Sequence, residues 1–320
     1  MIMRLATIIF LIVMMSACVT QPAPTANPKP PTATPPAQIL TKAPPPIPPT
    51  VVDSPDATAC EAGDPSIESP LSNHHAYLTY TEDGLNFSPG EEQRIIEHAS
   101  VPDVVIGPDG ALWVYFVNGR PGQHGIFVAR QMPNNSWEIV DCVRLNGQFE
   151  GNAVDPDITR LPDGRYRLVY FLGNFVNRGT LGPNDPHPIY SAISDDGLNF
   201  AIENELISVE NVTDPSVVQL PNGSWLMALA RRSGVLLASS ADGNQFSLMD
   251  VSLPPEGIPE LALLPDGRLV LFLRQIHISS DGGLTWEVQS EKRVPGNGAD
   301  PSMTEFPGGG YAFVWKQIEP

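Results

Sequence analysis

The sequence predicts an all-β fold, a five-bladed β-propeller whose last blade is closed by strands from the N- and C-termini. Three observations predict it: a turn of the Pro-Asx-Gly type occurs five times, four short strands accompany each turn, and helical periodicity is absent from this region. Another proline stands six residues before the proline of every turn. These earlier prolines, 42 to 59 residues apart, are Pro102, Pro156, Pro215, Pro259 and Pro301.

Each repeat supplies the strands of one blade. In the first repeat, residues 104–106 form an apolar strand between the two prolines, residues 112–117 a second strand after the turn, and residues 125–129 a third. A turn with Asp-Gly and an aromatic residue then leads to a fourth strand. The fifth repeat stops after two strands at Pro320, and residues 75–80 carry the missing pattern near the other end. The termini are therefore expected to complete one blade together, which closes the ring at five.

A second motif marks the turns between third and fourth strands. Residues 279–286 fit the Asp-box pattern Ser-x-Asp-x-Gly-x-Thr-Trp, and residues 195–200 and 241–246 are weaker copies. In an Asp box the Asp side chain binds backbone amides of the turn, and the aromatic residue packs between blades. We therefore assign these turns an architectural role and no chemistry.

The N-terminal region carries export signals. Residues 1–17 combine a basic start, an apolar run and small residues, which predicts a signal peptide too short to remain as a membrane span. The Met-Ser-Ala-Cys sequence that ends at Cys18 resembles a bacterial lipobox, so Cys18 is expected to be lipidated; ordinary secretion is the alternative. Residues 18–60, rich in Pro and Thr, are predicted to be a disordered linker, and residues 61–320 the propeller. The protein is thus expected at the cell surface, in the periplasm or outside the cell, lipid-anchored to a bacterial membrane.

The two remaining cysteines bear on the compartment of the protein, and the net charge limits the classes of partner. Cys60 and Cys142 could form a disulfide in an oxidising compartment, or both could stay reduced. The net charge of −18 argues against nucleic acids and anionic lipid surfaces, so membrane contact is expected only through the lipid anchor. We expect a monomer without a cofactor, although an acid-lined channel could accept Ca²⁺, which prefers oxygen ligands.

Carboxylates flank the first proline of every repeat. The residues before these prolines are Val101, Asp155, Asp214, Ile258 and Asp300, and those after them are Asp103, Asp157, Ser216, Glu260 and Ser302. Residues two apart on a strand point to one face, and the first strand of a propeller blade lines the channel, so the acids are predicted to form a ring at the channel mouth. The alternative is one repeated structural device, an acid that binds backbone amides. Glu260 argues against that alternative, because its longer side chain bonds its own backbone poorly.

The loops after the second strands are expected at the same mouth, and they hold a large share of the basic residues. We predict that His124, Arg231 and Arg274 bind substrate together with Asp157 and Asp300. Simple charge balance with the acid ring is the alternative explanation. The loop at residues 173–188 is long for a propeller and is a candidate lid.

With these motifs, the chain from about residue 71 onward resembles the five-bladed glycoside hydrolases of families 43 and 32, which include arabinanases, xylosidases and fructosidases. The resemblance implies a general base at Asp103, an orienting and pKa-tuning Asp at Asp214, and a general acid at Glu260. The chain departs from the family at Asp300, where a His next to Gly is common. Glu260 also follows its proline, whereas the family's acid more often precedes one.

The resemblance therefore implies an extracellular glycoside hydrolase that cleaves a carbohydrate with an Asp base and a Glu acid. A sialidase-like enzyme is the first alternative, suggested by the Asp boxes and by arginines that could clamp a carboxylate. Its Tyr nucleophile is not identified, and sialidases have six blades. A non-catalytic surface lipoprotein that binds a glycan or a protein is the second alternative.

Overall fold

Each predicted repeat folds into one antiparallel sheet, with its first strand at one edge and its fourth strand further out. The structure, a computed structural model, describes residues 50–54, 60, 68–122, 124–173 and 185–320. Over these ranges the strands form five sheets, the one helical element is a 3₁₀ turn at Pro295–Gly298, and no helix is long and apolar enough to cross a membrane. The predicted signal peptide, Cys18, and most of the predicted linker and of the candidate lid lie outside the described residues.

The strands follow the predicted order. Before blade 1 come β1 (Val52–Asp53), β2 (His74–Thr81) and β3 (Gln93–Glu97). Blade 1 comprises β4 (Ala99–Ile106), β5 (Leu112–Asn118), β6 (Ile126–Gln131) and β7 (Trp137–Cys142). Blade 2 comprises a short hairpin of β8 (Arg144–Leu145) and β9 (Gln148–Phe149), then β10 (Ala153–Arg160), β11 (Tyr166–Leu172), β12 (Pro186–Ser194) and β13 (Asn199–Glu210).

The last three blades repeat this plan. Blade 3 comprises β14 (Val212–Gln219), β15 (Trp225–Arg231), β16 (Gly234–Ser240) and β17 (Ser247–Leu253). Blade 4 comprises β18 (Glu260–Leu263), β19 (Leu269–Phe272), β20 (Gln275–Ser279) and β21 (Glu287–Arg293). The C-terminal part of the closing blade comprises β22 (Ser302–Glu305) and β23 (Tyr311–Ile318).

The closing blade combines both ends of the propeller. β23 pairs antiparallel with β2 along its whole length, from His74 opposite Ile318 to Thr81 opposite Tyr311. β22 lies on the inner side of this pair and β3 on its outer side. β1, within the stretch assigned to the linker, adds a parallel edge to β3. The prediction of a five-bladed propeller closed by both termini is confirmed.

The blades pack face to face, which accounts for the continuous apolar runs in their second strands. All seven residues of β5 are buried, because neighbouring blades cover both faces of its sheet. Between blade 4 and the closing blade, Phe272 meets Phe313 edge-on with ring centroids 5.2 Å apart. At the rim, Asp281 holds the turn after β20. The hydroxyl and the backbone N–H of Thr285 both donate to it and lower the pKa of its carboxyl to about 2.

A disulfide joins Cys60 to Cys142, which is the last residue of β7. The two half-cystines are 82 residues apart in the sequence. The intervening chain includes β2 and β3 of the closing blade as well as most of blade 1. The bond therefore ties the segment that enters the propeller to the outer strand of blade 1.

Four of the five innermost strands have an irregular backbone just before the first proline. Val101, Asp155, Asp214 and Asp300 have φ angles between 45° and 51°. The strand register shifts at this point in blades 1, 2 and 3. A positive φ is unfavourable for a residue with a Cβ, and the α regions are further disfavoured before proline. The irregularity breaks the alternation of side chains, so the residues on the two sides of each proline form two rings rather than the predicted one.

We call the residues after the prolines the inner ring and those before them the outer ring. The inner ring consists of Asp103, Asp157, Ser216, Glu260 and Ser302, and the outer ring of Val101, Asp155, Asp214, Ile258 and Asp300. The acids of the inner ring border both a small cavity at the mouth and the wider channel beyond it. Of these two cavities, the outer ring borders only the mouth cavity. The inner ring therefore lies deeper.

The inner ring is a closed cycle of hydrogen bonds around the axis. Each of its side chains accepts the backbone N–H of the residue that follows the inner-ring residue of the next blade. The five bonds run from Ile158 to Asp103, from Val217 to Asp157 (2.9 Å), from Leu261 to Ser216 (2.8 Å), from Met303 to Glu260 (3.2 Å) and from Val104 to Ser302 (3.1 Å). The repeated structural device is therefore real for this ring. The argument against it from Glu260 is wrong, because Glu260 binds the neighbouring blade and not its own backbone.

The disulfide predicts a redox-dependent stability. Replacing Cys60 (Cys60→Ser) should lower the free energy of unfolding by about 2–4 kcal/mol, because the unfolded chain regains the freedom of a long loop. Chemical denaturation with and without a reducing agent measures the difference. Reductant should destabilise the wild type and leave the variant unchanged; a wild type indifferent to reductant would contradict the prediction.

The inner ring predicts a cost for removing a single hydroxyl. Ser216→Ala leaves the buried N–H of Leu261 without its acceptor and removes the 2.7 Å hydrogen bond that the Ser216 hydroxyl donates to Glu260. The free energy of unfolding should therefore fall by about 1–3 kcal/mol. Urea denaturation measures this loss. Ser252→Ala, at an exposed position of β17, is the matched control and should change stability by less than about 0.5 kcal/mol. Equal effects of the two substitutions would count against the hydrogen-bonded ring.

Candidate functional site

The mouth of the axial channel gathers the carboxyl groups that the sequence singles out. A cavity of about 20 Å³, room for one water molecule, lies between the two rings. It is lined by six acids, namely Asp103, Asp155, Asp157, Asp214, Glu260 and Asp300. Below the inner ring the channel widens to about 360 Å³. A sugar ring is too large for the small cavity, so a ligand at this end would rest on the outer ring.

The outer ring holds three carboxyl groups, and the ammonium group of Lys316 lies beside one of them. Asp155 and Asp300 are almost fully buried, whereas Asp214 is partly exposed. The Thr213 hydroxyl donates to Asp214 Oδ2 at 2.6 Å, and the Asp214 N–H donates to Asp155 Oδ2 at 3.2 Å. The ammonium nitrogen of Lys316 lies 2.5 Å from Asp300 Oδ2. The Asp214–Asp155 contact joins blades 2 and 3, and the charges of Lys316 and Asp300 in the closing blade act on these two acids. The four groups form one charged cluster at the mouth.

The cluster separates the proton affinities of its members. Burial and the charge of Asp300 raise the pKa of Asp214 to about 6. Burial and the charge of Asp214 raise the pKa of Asp155 well above its ordinary value. Burial opposes the charge on Lys316, yet the carboxylates around it, Asp300 first, raise its pKa. The cluster therefore places a carboxyl group of strongly raised pKa beside one that ionises at about pH 6, and two carboxyl groups of different proton affinity are what general acid–base catalysis needs.

The acids of the inner ring also hold protons more tightly than usual. Burial raises the pKa of Asp103 to about 7, although three hydrogen bonds to its carboxyl oppose the shift. Burial and the charge of Asp103 raise the pKa values of Asp157 and Glu260 well above the ordinary range. Both oxygens of Glu260 are engaged, one with the Ser216 hydroxyl and one with the Met303 N–H. Burial therefore favours the neutral forms of these groups, which belong to a structural ring, and their predicted catalytic roles remain a prediction.

Two residues at the mouth are not among the site residues predicted from the sequence. His74 opens β2, and its Nδ1 lies 2.8 Å from the Ser100 hydroxyl. Burial and the charge of Lys316 lower the pKa of His74 to about 4, so the ring is neutral. Lys316 stands out in the sequence only after the second strands are aligned. Its counterparts, two residues beyond the partner of each inner-ring residue, are Val117, Phe171, Ala230 and Arg274.

The predicted basic contacts lie away from the two axial cavities. Of His124, Arg231 and Arg274, none is among the described residues that line either cavity. His124 is buried, with its Nδ1 3.0 Å from the Asn118 carbonyl oxygen, and Arg274 is exposed at the end of blade 4's second strand. Asp157 and Asp300, by contrast, do line the mouth cavity. The mouth is consequently acidic, with Lys316 as its compensating cation.

The acids at the mouth do not form a ready cage for Ca²⁺. Over the described ranges, two groups of side chains bring three possible metal-binding atoms within 4.8 Å of one another. One is Asp53, Glu97 and His98 at the surface, and the other contains the disulfide cysteines. Neither includes an acid of the rings; Asp155 and Asp157 instead accept backbone N–H groups, and Asp300 faces Lys316.

Comparison with known proteins gives the fold and leaves the activity open. No protein-family model matches the chain, and no curated protein matches it in sequence. Among solved structures, an α-L-arabinofuranosidase from Fusarium graminearum superposes with a TM-score of 0.52 at 14% identity, over 79% of this chain and 95% of the other. A fructofuranosidase from Schwanniomyces occidentalis gives 0.52 at 14% identity over 79% of this chain and 56% of its own.

A third solved structure carries a different chemistry on the same scaffold. An N-acetylgalactosamine deacetylase from F. plautii superposes with a TM-score of 0.50 at 13% identity, over 77% of this chain and 86% of the other. Similarity at this level shows the fold alone, and one fold can host several reactions. The chain is a five-bladed β-propeller with the fold of carbohydrate-active enzymes, glycoside hydrolases among them.

Proposed function

We propose that this protein hydrolyses a glycosidic bond at the mouth of its channel, with Asp214 as the general base and Asp155 as the general acid. The observation that carries the proposal is the outer-ring cluster, in which three carboxyl groups share the single ammonium group of Lys316. Asp214 is the most exposed of the three and is ionised above about pH 6. Asp155, held protonated by burial and by the Asp214 charge, can donate a proton.

The atoms and protons of the reaction balance without any further reactant or residue. Asp214 removes a proton from a water molecule while the water oxygen attacks the anomeric carbon. The bond from that carbon to the leaving oxygen breaks, and the proton of Asp155 moves to the leaving oxygen. The two carboxyl groups then exchange the proton through solvent, which restores the starting state.

The assignment from family resemblance, with Asp103 as base and Glu260 as acid, is the competing proposal for the same reaction. It is weaker on the described contacts. Asp103 accepts the N–H groups of Val104 and Ile158 as well as the Ser302 hydroxyl. A catalytic change of charge on Asp103 would disturb the bonds between blades. The outer-ring acids accept fewer backbone N–H groups from neighbouring blades.

The charge of the mouth favours a neutral substrate. The ionised carboxylates at the mouth, Asp214 among them, would repel a sugar that carries a carboxylate, and the arginines of a sialidase-type clamp do not border the cavity in the described part of the chain. Arabinosides, xylosides and fructosides therefore fit the site better than sialosides. A disulfide-bonded enzyme of this kind suits an oxidising compartment, in keeping with the predicted export and lipidation at Cys18.

A non-catalytic glycan-binding module is the second candidate. The observation in its favour is the small mouth cavity of about 20 Å³, which leaves a sugar in contact with the outer ring only. Such a module would bind the same neutral glycans without turnover.

Substitutions in the two rings separate these proposals. With a panel of aryl arabinosides, xylosides, fructosides and sialosides, Asp214→Asn and Asp155→Asn should each lower kcat/KM by about 100-fold or more. Glu260→Gln, which keeps a carbonyl acceptor for the Met303 N–H, should keep most of the activity. Asp250→Asn, at an exposed position of β17, controls for the lost charge. Loss of activity in Glu260→Gln with full activity in Asp155→Asn would favour the competing assignment, and glycan binding without turnover would favour the module.

The same assignment predicts a pH dependence. For the wild type, kcat/KM should fall as pH drops below about 6, because Asp214 must be ionised to act as base. Initial rates between about pH 4 and about pH 9, on protein shown by its melting curve to be folded throughout, measure the profile. A rate that stays constant down to pH 4 would contradict the role of Asp214.

A further inference from the structure

Lys316 carries a largely buried ammonium group that contacts one of the outer-ring acids. Its side chain is 16% exposed, and its nitrogen lies 2.5 Å from Asp300 Oδ2. Asp214 and Asp155 act on its charge as well. His74 also faces the cluster, but it is neutral because its pKa is only about 4. Among the described residues that act on these acids, Lys316 is therefore the group that supplies positive charge.

The fold fixes this lysine in place. The Lys316 N–H donates to the Ala299 carbonyl oxygen at 2.9 Å, which ties β23 to the residue just before Asp300. The preceding residue, Trp315, is buried against Gly296, where an added Cβ would lie 1.9 Å from the indole ring. The backbone bond to Ala299 and the packing of Trp315 thus fix the Cα of Lys316 next to Asp300.

The position of Lys316 is an exception within the repeat. The equivalent positions of blades 1, 2 and 3 carry Val117, Phe171 and Ala230, which are apolar. Blade 4 has Arg274 there, and this residue is exposed. A buried charge that the propeller itself required would be expected in more than one blade, and among these five positions Lys316 is the one charged residue that is largely buried. The lysine is specific to the blade that contributes Asp300.

We propose that Lys316 is a positioning residue that sets the number of protons in the outer ring, so that Asp214 stays ionised while Asp155 keeps the proton used in catalysis. The part that concerns catalysis rests on the proposed function; the control of protonation does not. One ammonium group compensates about one negative charge, and three carboxyl groups close together cannot all ionise around it. Without Lys316 the carboxyl groups would hold more protons, and the base would be lost at the pH where it is needed.

Three variants test this role. Lys316→Met removes the charge with similar bulk, Lys316→Arg keeps it, and Lys292→Met is the control, because Lys292 is the other lysine of the described blades and lies on the outer strand β21. The acidic limb of the kcat/KM profile should move up by about one pH unit or more in Lys316→Met and should be largely restored in Lys316→Arg. The Lys292→Met profile should match the wild type. An unmoved limb in Lys316→Met would overturn the proposal.

Melting curves test the proposal without activity. The melting temperature lost in Lys316→Met should be small at low pH, where the acids are protonated, and should grow as pH rises and they ionise. Adding Asp300→Asn to Lys316→Met should recover stability at high pH, because the carboxyl group that lost its partner is gone. A loss that is equal at every pH, with no recovery in the double variant, would show a purely structural lysine.

These readouts keep the two proposals distinguishable. If the wild type cleaves no glycoside, the proposed function fails, while the pH dependence of melting still decides whether Lys316 controls the protons. If Lys316→Met does not fold, Lys316→Arg and Asp300→Asn remain as tests. Asp300→Asn should then lower the pH at which the acidic limb falls, because Asp214 loses a neighbouring negative charge. An unchanged limb in a folded, active Asp300→Asn variant would overturn the proposal.

Discussion

The five blades are joined at the axis by a closed cycle of side-chain to backbone hydrogen bonds, and the geometry of the mouth depends on it. Each blade supplies one side-chain acceptor and one backbone N–H donor to this cycle, so a blade cannot rotate about its own axis without breaking two hydrogen bonds. The bond from Val104 to Ser302 matters most for the topology, since it joins the first complete blade to the last segment of the chain. This bond closes the ring of blades at the channel axis, and the pairing of β2 with β23 closes it within the last blade.

The Asp-Pro entry explains why two rings exist. With φ near 50° before proline, the backbone turns the preceding side chain toward the mouth and the following one toward the neighbouring blade. Asp is among the residues that tolerate this region better than most. Conformation alone does not require it, however, because Val101 adopts the same φ in blade 1. The three acids of the outer ring therefore need a reason besides the backbone, and the charge of Lys316, which contacts Asp300 and acts electrostatically on Asp214 and Asp155, provides one.

Much of the fold could be predicted from the sequence, because a repeat with fixed proline spacing specifies both the number of blades and the shared closing blade. The split of the acids into two rings could not be predicted, since strand alternation is the only rule available before the bulges are seen. Glu260 misled for a related reason. A residue that bonds its own backbone must be short, whereas the bond to the next blade is made here by Ser, Asp and Glu side chains alike. Lys316 was visible as a basic residue, but its partner Asp300 is brought to it only by the pairing of β22 with β23.

The separation of the rings also bears on how one scaffold can carry different reactions. An inner-ring side chain must accept a backbone N–H from the next blade, so only residues with an acceptor of suitable reach keep the ring closed, and the inner positions are constrained by stability. The outer positions bind fewer backbone groups, and in this chain they include Val101 and Ile258 as well as three acids. Chemistry can therefore change at the outer ring while the propeller stays closed. The solved structures that share this fold include hydrolases of glycosidic bonds and a deacetylase. In this protein the outer ring has three carboxyl groups near one lysine and a single backbone bond between blades, from the Asp214 N–H to Asp155, so a change of protonation there disturbs fewer of the contacts that close the propeller.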